Sequence, residues 1–151
     1  MVPFDLSESL QTDYAATTPN LLASFVRVVG GETVATEAQA TSQAFYVIRG
    51  KGTTACGEHG AIPWAAGDMV VLPKCNGACA HAAAAGHDAS LYWVSDAPLL
   101  AYLGAVPARP LFAPTVIRRE AMLAAVEAIS HEPGAQHRNR MGILLGNKVR
   151  A

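Results

Sequence analysis

The stretch FYVIRGKG, Phe45 to Gly52, followed after a short gap by AAGDMVVLP, Ala65 to Pro73, decides the fold. Alternation runs through the first stretch and the residues before it. Gln43, Phe45, Val47 and Arg49 fall on one side of an extended chain, and Ala44, Tyr46 and Ile48 on the other. Gly50-Lys51-Gly52 then turns the chain into a second strand, Thr53 to Cys56. Gly57-Glu58-His59-Gly60 reads as a hairpin turn, and Ala61 to Trp64 as the strand returning from it. In the second stretch Gly67-Asp68 introduces MVVLP, which Pro73 ends because proline brings no amide proton to a ladder.

Working outward, Leu22 to Val29 (LASFVRVV) is rich in β-formers and stops at Gly30-Gly31, and Asp88 to Ser95 (DASLYWVS) is the last clear strand. Helical spacing is missing throughout this region. Short, evenly spaced strands with glycine at the corners predict an all-β sandwich or barrel rather than a parallel α/β sheet. After Asp96 the character changes. Pro98 to Leu103 reads as one or two helical turns, and residues 104–114, with Pro107, Pro110 and Pro114, as a connector. Arg118 to Ser130 (RREAMLAAVEAIS) predicts an amphipathic helix with Met122, Ala125 and Ile129 on one face, stopped over His131 to Gly134. The closing HRNRMGILLGNKVRA carries the short apolar run Ile143 to Leu145 and reads as a linker continuing into a longer protein. The expected division is an N-terminal arm over 1–20, a barrel over 21–104, and a connector, helix and linker-like tail over 105–151.

Composition narrows the function classes. Of the 151 residues 51% are hydrophobic and 15% charged, partly through abundant alanine, and that surplus points to an oligomer interface or a partner domain. The sequence lacks the roughly 18 to 20 uninterrupted apolar residues of a membrane span. Acids near the start replace the basic end of a secretion signal, so a cytoplasmic location is expected. With a net charge of -1 and no clustered Lys/Arg, nucleic-acid binding is not expected. Cys56, Cys75 and Cys79 form no disulfide framework by spacing and are expected as free thiols, with one of them a ligand as the alternative.

FYVIRGKG, AAGDMVVLP and the later HDASLYWVSDAPLLAYLG, His87 to Gly104, resemble in order the segments of the cupin superfamily, in particular one barrel of a gentisate 1,2-dioxygenase-like bicupin. The resemblance covers roughly Leu22 to Gly104, and EPGAQHRNRMGILLGN is similar to the linker between two such barrels. It implies a double-stranded β-helix, or jelly-roll barrel. It also implies a metal centre in which two histidines and a glutamate precede the first strand and a third histidine follows the second. Fe(II) held there would bind oxygen and a hydroxylated aromatic acid, the chemistry of a ring-cleaving dioxygenase, and imidazole with open positions suits it.

Counted back from the strand, the glutamate of that pattern falls on Gln43 and the two histidines on Glu37 and Gln39. All three share one side if the strand is continuous. With no insertion in Lys74 to Gly77 the third histidine lands on Ala78; with one extra loop residue it lands on Cys79, and His81 takes the next inward position. The second register is preferred because loops absorb insertions more readily than strands. Pocket-lining candidates are therefore Glu37, Gln39, Gln43, Phe45, Cys79 and His81. As a metal site, Glu37, Gln39, Gln43 and His81 form a weak set, better suited to hydrogen bonds or hard cations than to redox iron. A zinc site would want four N or S ligands; Cys75 is the one further neighbour, and CNGAC is not a Cys-x-x-Cys pair. His59, His87, His131 and His137 are assigned to turns, a helix end and the linker. Arg27 and Arg49 would hold a substrate carboxylate only if they faced inward, and Arg49 sits at a strand end open to solvent.

The favoured expectation is a cupin half without a metal cofactor, serving packing, oligomerisation as a dimer or against a second barrel, or binding of a small aromatic acid. The alternative is an oxidoreductase, a ring-cleaving dioxygenase using Fe(II) or another divalent metal with atypical ligands. A regulatory small-ligand barrel is a third reading, and the lack of a DNA-binding module in this sequence counts against a transcription regulator.

Overall fold

The computed structural model describes residues 1–133. His137 and the linker-like run at Ile143 to Leu145 lie outside the described residues. Within them the chain forms β1 (Val2–Pro3), α1 (Ser7–Leu10), β2 (Leu22–Val28), β3 (Thr33–Thr36), β4 (Ser42–Arg49), β5 (Lys51–Cys56), a 3-10 turn over Gly57–His59, β6 (Ala61–Ala65), β7 (Met69–Pro73), β8 (Cys79–Ala83), β9 (Ala89–Ser95), α2 (Ala97–Leu103), β10 (Thr115–Ile117) and α3 (Arg119–Ser130). The strands build two antiparallel sheets: six strands in the order β1-β2-β9-β4-β7-β10, and four in the order β3-β8-β5-β6. The all-β architecture is the one expected from the strand spacing, and its two-sheet arrangement is the jelly roll that the resemblance implies. The arm and the connector each add a short strand to the larger sheet.

Alternation carries the packing. Along β4 Gln43, Phe45 and Val47 are buried while Tyr46 and Ile48 are exposed. Val26, Val28, Val70, Leu72, Leu91 and Trp93 meet them from neighbouring strands. Fully burying such a side chain contributes roughly 1.5–3 kcal/mol. A bulge between Val47 and Arg49 turns the end of β4 outward, so Arg49 donates from Nε to Ser90 Oγ at the surface, 3.1 Å away. Arg27 likewise faces out and pairs with Asp88 at 2.7 Å. Neither arginine reaches the interior.

Gly52 is a packing requirement. A Cβ there would stand 2.1 Å from the Ala82 carbonyl oxygen and 2.6 Å from Cη2 of Trp64, so only glycine lets β8 and the indole close over β5. At the other end Asp68 fixes the connector: its carboxylate accepts from the amides of Ala65 and Arg119 and from Arg118 Nη1 at 2.7 Å. Burial works to raise the Asp68 carboxyl, but these hydrogen bonds and the Arg118 charge outweigh it and hold it below the usual carboxylate range. Helix α3 starts from this anchor. Met122, Ala125 and Ile129 are its half-covered positions, as the periodicity predicted, and Leu123 and Val126 remain exposed.

The outer face of the six-stranded sheet is apolar along one row. Register places Val2 opposite Phe25, Phe25 opposite Tyr92, Tyr92 opposite Tyr46, and Tyr46 opposite Met69, which faces Ile117. The row crosses six strands, about 24 Å at ~4.8 Å each. Phe4 folds back edge-on to Phe25, with ring centroids 4.9 Å apart.

Candidate functional site

The barrel interior brings together four of the six residues expected there. Gln43, Phe45, Cys79 and His81 are all at most 2% exposed. Strand β8 presents Cys79, His81 and Ala83 inward, which is the register with the extra loop residue. Glu37 and Gln39 are the correction: both are exposed. The continuous strand that would have pointed them inward does not exist. Strand β3 belongs to the four-stranded sheet and ends at Thr36, whereas β4 belongs to the six-stranded sheet and begins at Ser42. Residues 37–41 cross between the sheets. Asp96 fixes this corner by accepting from the amides of Thr41 and Ser42 and from the Thr41 hydroxyl. Through the crossing Thr36 and Ala40 are buried and Glu37 and Gln39 turn to the outside.

His81 sits at the centre of a fully engaged network. Its Nδ1 is 2.8 Å from Thr54 Oγ1 and its Nε2 is 2.8 Å from Thr36 Oγ1. Trp64 Nε1 donates to Thr54 Oγ1 at 2.9 Å. A neutral imidazole has one donor and one acceptor nitrogen. One threonine hydroxyl therefore donates to the acceptor nitrogen of the ring while the other accepts from its N–H, and Thr54 Oγ1 accepts from Trp64 in either tautomer. Burial pushes the His81 pKa down to about 4, so the ring is neutral at pH 7. Phe45 covers it with ring centroids 4.6 Å apart and stacks in turn on Trp93 at 5.8 Å, with the planes 2° from parallel.

Gln43 closes the other end, where its Oε1 accepts from Trp93 Nε1 at 3.0 Å. Ser24 and Ser95, on the same inward face, have buried hydroxyls without a partner in the protein. Thr36 and Thr54 escaped the sequence reading because strand threonines are common and only cross-strand register shows that these two flank an imidazole.

Iron does not fit this donor set. His81 has both nitrogens committed to threonines, Cys79 lies in sulfur contact with Cys56, Gln43 and the threonines offer only amide and hydroxyl oxygens, and the one carboxylate expected nearby, Glu37, is exposed. Redox iron of the cupin type calls for several imidazoles around open positions.

A cavity of about 480 Å³ is a shallow groove on the smaller sheet, lined by Pro63, Trp64 and Ala82 to Ala84 together with Lys51 and Arg118. Another, of about 310 Å³, lies outside the barrel between Gln39 and α2.

The cysteines also depart from expectation. Cys56 and Cys79 are direct partners across β5 and β8, and Cys75 reaches them from the loop after β7. The three sulfurs lie within 4.8 Å of one another, with Cys56 at bonding range of both others. Three separate thiols were expected; the register of two strands distant in sequence brings them together instead.

No family model and no curated protein matches this sequence. Among solved structures, a salicylate 1,2-dioxygenase from Pseudaminobacter salicylatoxidans overlays with a TM-score of 0.51 at 23% identity, covering 68% of this chain and 26% of that one. A single-residue variant of that enzyme in complex with gentisate gives the same score and identity, over 71% of this chain and 26% of the other. The chain thus spans about a quarter of the length of these dioxygenases. At this identity the likeness is one of fold, and the fold is the cupin barrel that the sequence segments resemble.

Proposed function

We propose that this cupin barrel is a metal-free packing half, resembling one barrel of a gentisate 1,2-dioxygenase-like bicupin and working in the cytoplasm against a second barrel of its own kind. The single observation that carries this reading is the state of His81. It is the one histidine buried among the described residues, and Thr36, Thr54 and Phe45 enclose it on three sides. A ligand to catalytic iron needs a free nitrogen lone pair and space beside it for substrate and oxygen; His81 offers neither.

The outward row from Val2 to Ile117 supports the packing role. An antiparallel sheet with one solvated face alternates apolar and polar residues, yet Phe25 and Tyr46 stand 44% and 41% exposed in the middle of this one. The face of another barrel would cover them.

The test is turnover. The full chain, supplied anaerobically with Fe(II) and then with oxygen and gentisate or salicylate, is expected to cleave no ring above a protein-free control. Ring cleavage that disappears in His81→Ala would overturn the proposal and reinstate the dioxygenase reading.

A small-ligand role has its own support in the groove beside Trp64, where an apolar wall and two cationic side chains suit an aromatic carboxylate. It predicts thermal stabilisation by benzoate-type acids without metal, weakened in Lys51→Ala. An unchanged melting temperature at saturating acid would remove it.

A further inference from the structure

We propose that Cys56, Cys75 and Cys79 form a thiolate site for one soft closed-shell cation of the zinc(II) class, with His59 as fourth ligand. The site is independent of the barrel interior and of the packing role proposed above.

The geometry is that of a converging site. These three sulfurs lie within 4.8 Å of one another, with Cys56 in contact with both others, and the centre must open for all three to take the about 3.8 Å spacing of sulfurs around one tetrahedral zinc at ~2.3 Å. They come from three separate elements: the end of β5, the loop after β7 and the start of β8. Chance does not readily bring a protein's full complement of three cysteines to one point, and hydrophobic packing does not require sulfur there. A disulfide accounts for only two of them, because each sulfur has one valence to spare beyond its Cβ. Cys56 meets both of the others and could bond to only one at a time.

A cation accounts for all three. Cys56 and Cys79 are essentially fully buried, so three thiolates without a counter-ion would carry a prohibitive desolvation cost. A divalent cation cancels most of that charge. His59 is the nearest source of a fourth ligand: it follows Cys56 by three residues in the turn between β5 and β6 and lines the same cavity, about 100 Å³, as Cys56 and Cys75, and its ring, which stands outside the three-sulfur cluster, must swing in to bind. Lys74 lines this cavity too, and its ammonium balances the residual negative charge of a three-thiolate zinc centre. His81, two residues along β8 from Cys79, is not available because both of its nitrogens are bonded to threonines. With four protein ligands the centre is closed, the structural rather than the catalytic arrangement. It would tie the loop over residues 74–78 to the end of the barrel.

The experiment uses the untagged full chain, reduced, stripped with chelator and kept anaerobic, titrated first with Co(II) and then with Zn(II). One equivalent of cobalt is expected to produce strong near-ultraviolet thiolate-to-cobalt charge transfer. Equimolar zinc should abolish it and protect all three thiols from alkylation. Cys75→Ser, a change in a loop that leaves the buried pair in place, should weaken binding by at least about a hundredfold. His59→Ala, at a half-buried turn position, should keep the charge transfer but shift the visible cobalt bands and weaken zinc binding at least about tenfold. Absence of charge transfer in the reduced protein overturns the site. So does zinc binding that Cys75→Ser leaves unchanged, or a disulfide that takes two thiols at the same rate with and without zinc.

Discussion

At the scale of single residues, His81 links burial to pH. Free imidazole titrates near 6.5, and burial brings this one to about 4. Between those values the unfolded chain binds a proton that the folded chain refuses. The stability from keeping His81 neutral is therefore complete above pH 6.5 and is lost as pH falls toward 4, by about 3 kcal/mol in all. Urea midpoints measured at pH 7, 5.5 and 4 should show this decline, and His81→Gln should flatten it. Asp68 acts lower on the scale: its carboxyl is held below the ordinary value, so its contribution is present above pH ~4 and disappears below. Thr54→Val should cost about 3 kcal/mol, because it strands both the Trp64 indole N–H and His81 Nδ1 in the interior. Denaturant unfolding at pH 7 measures that loss. The inward sides of Gln43 and Phe45 were legible from alternation, whereas those of Cys79 and His81 depended on choosing the register with one extra loop residue in the pattern of the resemblance. Glu37 and Gln39 were misplaced because alternation holds only within one strand, and the chain changes sheets between them and β4.

At the scale of elements, the strand ladder depends on a glycine that the sequence marks only as a turn. Gly52→Ala should destabilise the protein by about 3 kcal/mol, since the added carbon meets the backbone of β8 and the Trp64 ring together. Gly77→Ala is the comparison. Its added carbon would meet nothing within 4 Å, and only its left-handed backbone, φ +87°, is strained, so about 1 kcal/mol is expected. Thermal melts of the two variants side by side decide the ranking. Elements with a strong β pattern, such as β2, β4, β7 and β9, were readable in advance. Strand β8 was disguised by its alanines, whose weak β preference gives little sign of a central strand; only the inward alternation of Cys79, His81 and Ala83 betrays it. Strand β10 followed a proline-rich connector and is held by Asp68 and by pairing with β7, both long-range. The three-sulfur cluster was hidden for the same reason, since Cys56 and Cys79 meet only once β5 and β8 are paired.

At the scale of the whole molecule, the barrel joins a filled interior to an apolar outer face. If that face packs on a second copy, light scattering of the full chain should give the mass of two chains at micromolar concentration, and Phe25→Asp with Tyr46→Asp should reduce it to one. A single-chain mass throughout would rule out self-pairing. No described helix is long and apolar enough to cross a membrane. In the function proposed above, protein side chains occupy the place where cupin dioxygenases hold iron. The most direct measurement is the iron content of the full chain after anaerobic reconstitution and desalting, compared with Cys56→Ser and His81→Ala. No iron that depends on His81 is expected. One equivalent of iron per chain, retained by Cys56→Ser and lost in His81→Ala, would contradict that function.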